Sequence, residues 1–150
     1  MSEKKAKEAR KVTKEDGRPT NGELLAAMES LAKLVAIDFH VSDSLKVRKL
    51  KQQMLTSYTL ISEVKNDLVK KYGEELTPGS GNFVIIAPND PKGRPASKRY
   101  PEFAEEYVAL LLPLADIKFD KIKLPSQIDG NPIVLSSNDL ERLDKFVEIV

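Results

Sequence analysis

From Leu24 onward, apolar residues recur at helical spacing: Leu24, Leu25, Met28, Leu31, Leu34 and Val35 fall on one stripe, which predicts a helix over 21–37. Thr20 followed by Glu23 forms a capping-box pair at its start, where each side chain can satisfy an N–H that the first turn leaves open. Asp38-Phe39-His40-Val41 reads as a connector, with Ser42 or Ser44 as the next cap. A second periodic run, with Leu45 or Val47, Leu50, Met54, Tyr58, Ile61, Leu68 and Tyr72 on one face, predicts a long helix over 45–72 that stops at Gly73. Two apolar stripes joined by a short connector imply an antiparallel helical hairpin.

Beyond Thr77-Pro-Gly-Ser-Gly81 the period changes. Phe83-Val-Ile-Ile86 is a β-prone run, and the four prolines of 88–101 mark an exposed loop. Pro101 opens a helix with Phe103, Tyr107, Leu110 and Leu111 inward, which Pro113 ends. Alternation over 116–124, with one break in phase at Lys121-Ile122, predicts a half-buried strand with a bulge or two short ones. Asp129-Gly-Asn-Pro132 signals a turn. Ser136 with Asp139 caps a last helix whose inward positions are Leu140, Leu143, Phe146 and Val147 or Val150. The expected fold is α+β and mainly helical, an N-terminal antiparallel helical hairpin packed on a small sheet with two further helices. Residues 1–19, with few apolar groups, read as a mobile basic arm, and 20–150 as a single domain made of the hairpin (20–73) and a mixed half (74–150).

Composition removes several function classes. The chain has 150 residues and no cysteine, which excludes disulfides, thiolate metal sites and a cysteine nucleophile. Its single histidine, His40, has no second imidazole with which to build a ligand set. No phosphate-binding glycine loop of the Walker type occurs. Ser136 and Ser137 are explained by capping, and Glu102, Glu105 and Glu106 by the positive end of a helix dipole. No catalytic constellation and no cofactor or metal site is expected. No run of apolar residues is long enough for a transmembrane helix and none precedes a secretory cleavage site, so a cytoplasmic location is the default expectation, without a membrane partner.

The net charge of +1 hides a block pattern. Seven basic and two acidic residues lie in 44–72, four basic and one acidic in 88–99, and five basic and ten acidic in 100–150. Two basic clusters are candidate contact surfaces. Lys92, Arg94, Lys98 and Arg99, with Tyr100 beside them, lie in the proline-rich loop, which is either solvated or a contact for an acidic protein or a phosphate backbone. Lys46, Arg48, Lys49 and Lys51 crowd the first turns of the predicted long helix, where positive charge opposes the dipole.

Three segments, the hairpin ending in Asp67-Leu-Val-Lys-Lys-Tyr-Gly73, the acidic helix leading into Leu110-Leu-Leu-Pro-Leu-Ala-Asp-Ile-Lys-Phe119 and the closing Val134-Leu-Ser-Ser-Asn-Asp-Leu-Glu-Arg-Leu-Asp-Lys-Phe-Val147, resemble an uncharacterised family of small proteins of tailed bacteriophages and prophages. Together they cover residues 24–150; the basic arm and the proline-rich loop depart from the family pattern. The resemblance implies a phage origin and no established catalytic residue. A non-enzymatic protein is therefore expected, an assembly accessory or a modulator of a host enzyme such as the transcription machinery, whose partner is a host or phage protein with an acidic surface. It would act in the cytoplasm of the infected or lysogenic cell or on the virion. The alternative is a nucleic-acid-binding module that uses the basic arm, helix and loop, with weak, sequence-independent affinity.

Overall fold

The computed structural model describes residues 17–150. Its helices are α1 (Asn21–Ala36), α2 (Val41–Tyr72), α3 (Tyr100–Leu111) and α4 (Ser137–Leu143). Its strands are β1 (Glu74–Glu75), β2 (Phe83–Val84), β3 (Ile122–Leu124), β4 (Gln127–Ile128), β5 (Asn131–Pro132) and β6 (Val147–Ile149). The protein is α+β and mainly helical, with α1 and α2 packing together. Its strands are divided among three two-stranded pairs, β1–β2, β3–β6 and β4–β5, rather than gathered into one small sheet.

The chain forms two compact units. Among the described residues, one contains 17–58 together with Leu114–Val150, and the other is Thr59–Pro113. The boundary falls inside α2, whose 32 residues reach about 48 Å, more than one small core can cover. Residues 74–113 and 114–150, adjacent in sequence, therefore belong to different units.

In the first unit α1 begins with the predicted capping box: Thr20 accepts from the Glu23 N–H at 3.1 Å and the Thr20 N–H donates to the Glu23 carboxylate at 3.0 Å. Leu24, Ala27, Leu31 and Leu34 from α1, Val47, Leu50 and Met54 from α2, and Leu124, Leu143 and Phe146 from the C-terminal segment are buried. Leu45 is 66% exposed, so Val47 takes the inward position of the two that the stripe allowed.

Helix α2 starts at Val41, earlier than predicted. The His40 carbonyl accepts the Ser44 N–H at 2.9 Å, which makes His40 the boundary residue, and the Ser44 hydroxyl donates to the Phe39 carbonyl at 3.1 Å instead of capping. Lys46, Arg48, Lys49 and Lys51 consequently lie beyond the first turn. The dipole penalty inferred from the later start largely disappears, because that effect fades within one turn.

The C-terminus also departs from the periodicity. Helix α4 ends at Leu143, and Val147–Ile149 form β6, parallel to β3 with Ile122 opposite Val147 and Leu124 opposite Ile149. Phe146, Val147, Ile149 and Val150 satisfy helical spacing, but β-branched residues fit a ladder better, and pairing with β3 satisfies their backbone groups. Val147 takes the inward position of the two alternatives and Val150 is exposed, while Leu140, within α4, is exposed rather than inward. Of the alternating run 116–124 only Ile122–Leu124 is strand; that of 83–86 is only Phe83–Val84. The Asp129-Gly130 turn joins β4 to β5, with both residues at positive φ (51° and 83°).

Of the proposed basic arm, residues 1–16 lie outside the described residues. Its last residues are anchored: the Ala115 N–H donates to the Pro19 carbonyl at 2.8 Å, Arg18 donates to the Ala115 carbonyl at 3.1 Å, and Pro19 is buried. A boundary drawn after Pro19 thus cuts through this contact.

In the second unit Ile61, Tyr72, Ile86 and Phe103 are buried. Gly73 follows α2 where the sequence predicted its stop, and it does so without a positive φ. A Cβ at this position would collide with the carbonyl oxygens of Val84 and Val69, so the close approach of β2 to the helix end is what requires glycine.

Candidate functional site

The proline-rich loop is preformed by its own side chains. Ser97, 3% exposed, closes its neck: the Ser97 N–H donates to the Ile86 carbonyl at 2.9 Å and the Ile86 N–H donates to the Ser97 hydroxyl at 2.8 Å. Within the loop the Asp90 carboxylate accepts the Arg94 backbone N–H at 3.1 Å and both arms of its guanidinium, Nε at 2.9 Å and Nη2 at 3.2 Å. This fork holds the Asp90 carboxyl below the usual carboxylate range and raises Arg94 further. Arg99 donates to Glu102 at 2.6 Å and lies over the Tyr72 ring at 4.6 Å, and the Lys71 ammonium is 5.0 Å from that ring. Hydrogen bonding to Glu102 raises the Arg99 pKa.

The predicted contact residues of this loop therefore divide into two kinds. Arg94 and Arg99 are held by carboxylates of their own segment. Tyr100 is half-buried with its ring centroid 6.2 Å from that of Phe103. Lys92 and Lys98 are exposed, and their ammonium groups have no ion pair or hydrogen bond among the described residues. The same unit exposes Leu60 and Val64 on α2, and Val108 on α3 with Leu112 at its helical C-cap. Each pair is spaced i, i+4 and so lies on one helix face.

The helix cluster divides too. Lys46 and Lys49 line a cleft of about 410 Å³ together with Lys121 and Lys123, against a single carboxylate, Asp120. Arg48 and Lys51 are exposed and line none of this cleft. Lys46 pairs with Asp43 at 3.4 Å and Lys123 with Glu148 at 4.0 Å, whereas Lys49 and Lys121 have no ion pair among the described residues. Lys121 also lines a second cleft, of about 330 Å³, with Arg18, Lys118 and Lys145.

Sequence reasoning did not single out Lys118, Lys121 and Lys123. Their signal was present as lysines recurring within the alternating run 116–124, but the carboxylates of Asp116 and Asp120 cancel most of that charge when it is counted along the chain. Among the described residues no group of three or more His, Asp or Glu side chains is placed to hold a metal ion, and no helix is long and apolar enough to cross a membrane. Comparison with protein-family models, with curated proteins and with solved structures returned no match.

Proposed function

We propose that the chain is a non-enzymatic protein of phage or prophage origin that works by binding another protein, as an assembly accessory or as a modulator of a host enzyme, through the unit Thr59–Pro113. One observation carries this reading: each of the two helices in that unit, counting the helical C-cap residue Leu112 of α3, presents an i, i+4 apolar pair to solvent, with Leu60 and Val64 at 57% and 44% exposure and Val108 and Leu112 at 52% and 69%. Protein interfaces have such an apolar centre surrounded by charge. Lys92 and Lys98, in the same unit, are cations unpaired among the described residues, on a loop whose shape Ser97 and the Asp90–Arg94 fork already fix, so little entropy is lost when a partner orders it. The partner class that fits is a protein with an apolar contact bordered by carboxylates. The resemblance of three segments to phage proteins supports the setting.

The double variant Val108→Asp/Leu112→Asp tests this directly. Both side chains are exposed, so the melting temperature should stay within about 2 °C of the parent, as surface changes usually do. A partner that co-purifies with the tagged full-length chain from host lysate should be lost. Lys92→Glu/Lys98→Glu should instead slow association and reduce its salt dependence. Undiminished recovery of the same partner by the folded apolar-pair variant would contradict the proposal.

A further inference from the structure

The two clefts beside residues 117–123 have a charge arrangement that a role for Thr59–Pro113 leaves unused. Four cations, Lys46, Lys49, Lys121 and Lys123, line one against Asp120; four, Arg18, Lys118, Lys121 and Lys145, line the other with no carboxylate among its lining residues. Because Lys121 belongs to both, the cations are arrayed on either side of one segment rather than converging on one point. A single phosphate would be served by one cleft with bidentate or backbone donors; cations spread through adjoining clefts suit a chain of phosphates.

Several of these cations are available to a ligand. Lys49, Lys118 and Lys121 make neither ion pair nor hydrogen bond among the described residues. The pairs Lys46–Asp43 at 3.4 Å and Lys123–Glu148 at 4.0 Å join solvent-exposed lysines to carboxylates, and such pairs contribute little to stability. Lys145 is more committed, donating to Glu23 at 3.0 Å.

The residue types also separate two classes of polyanion. Protein interfaces are depleted in lysine and enriched in arginine and aromatic residues. Here the lone arginine, Arg18, is tied to the Ala115 carbonyl, and the lone aromatic, Phe119, packs on Phe146 with ring centroids 4.9 Å apart. Neither is placed to read a base edge or to stack on a base. We propose that this lysine band is a sequence-independent binding surface for the phosphate backbone of nucleic acid, separate from the protein contact assigned to Thr59–Pro113.

The test uses the full-length chain and a labelled 20-base-pair DNA duplex, with fluorescence anisotropy read between 50 and 200 mM salt. Engagement of four or more phosphates gives a slope of log K against log salt of about −3.5 or steeper. Lys49→Glu/Lys121→Glu should make the slope shallower by about two and weaken binding at least tenfold at 100 mM salt, with unchanged circular dichroism. Lys92→Glu/Lys98→Glu should leave the DNA affinity unchanged. A second duplex of unrelated sequence should bind within about threefold of the first. The proposal is overturned by a parental slope shallower than about −2, by an unaltered affinity in the Lys49/Lys121 variant, or by poly-glutamate displacing the duplex at lower charge equivalents than unlabelled DNA does. The last result would assign the band to an acidic polypeptide.

Discussion

Replacing Asp139 by alanine should lower the melting temperature by roughly 10 °C or more, because one side chain holds two helices. Asp139 is 2% exposed. Its carboxylate accepts the Ser136 N–H at 3.2 Å and the Ser136 hydroxyl at 2.9 Å at the start of α4. The same group accepts the Ser30 hydroxyl at 2.8 Å and the Lys33 ammonium at 2.9 Å from α1. Alanine removes half of the capping box and leaves the buried Ser30 hydroxyl without its acceptor, a loss larger than that of a surface ion pair.

The Lys33 ammonium and the Ser30 hydroxyl hold the Asp139 carboxyl far below the usual carboxylate range. As pH falls below about 4 the unfolded chain takes up this proton before the folded one does, so the stabilisation, complete at neutral pH, declines through the acid range. Asp139→Asn keeps an acceptor for the cap but loses the charge. It should show a smaller fall in melting temperature and a flatter acid limb. Parental melting of the alanine variant across pH 3–7 would show that these contacts contribute little.

Gly73→Ala should destabilise the unit Thr59–Pro113 by about 3 kcal/mol or more, an effect of the size that backbone collisions and strain produce. The added methyl group meets the carbonyl oxygens of Val84 and Val69. Both are backbone atoms, one in β2 and one in the last turn of α2, so no side-chain rotation relieves the clash. The strand pair in which Glu74 lies opposite Val84 should separate first. Amide hydrogen exchange would show lost protection at Leu76, whose N–H donates to the Asn82 carbonyl at 2.8 Å, while Leu24 and Leu31 in α1 keep theirs. Parental protection at Leu76 would refute the steric account.

Sequence made legible what depends on neighbours along the chain. The Thr20–Glu23 and Ser136–Asp139 boxes, the inward stripe of α1 and the Asp129-Gly130 turn are each specified within a few residues. Features decided by remote partners were not legible. The pattern at 146–150 fits helix and strand equally, and only β3, more than 20 residues upstream, selects the strand. The charge of Asp139 explains its cap, but its hold on Ser30 joins positions 109 residues apart. The candidate surfaces follow the same rule. Counting cations found the loop and the start of α2, yet Arg94 and Arg99 are occupied by Asp90 and Glu102, and Lys46 and Lys49 acquire Lys121 and Lys123 as neighbours only through folding.

The central claim, a protein contact through Thr59–Pro113, is tested most directly by a photo-crosslinking amino acid placed at position 112 of the full-length chain in host cells. Position 134, also exposed and belonging to the other unit, serves as the comparison. The account predicts a discrete protein adduct from position 112 that disappears when Val108 is changed to Asp, and no such adduct from position 134. An adduct from position 134 with none from position 112 would contradict it.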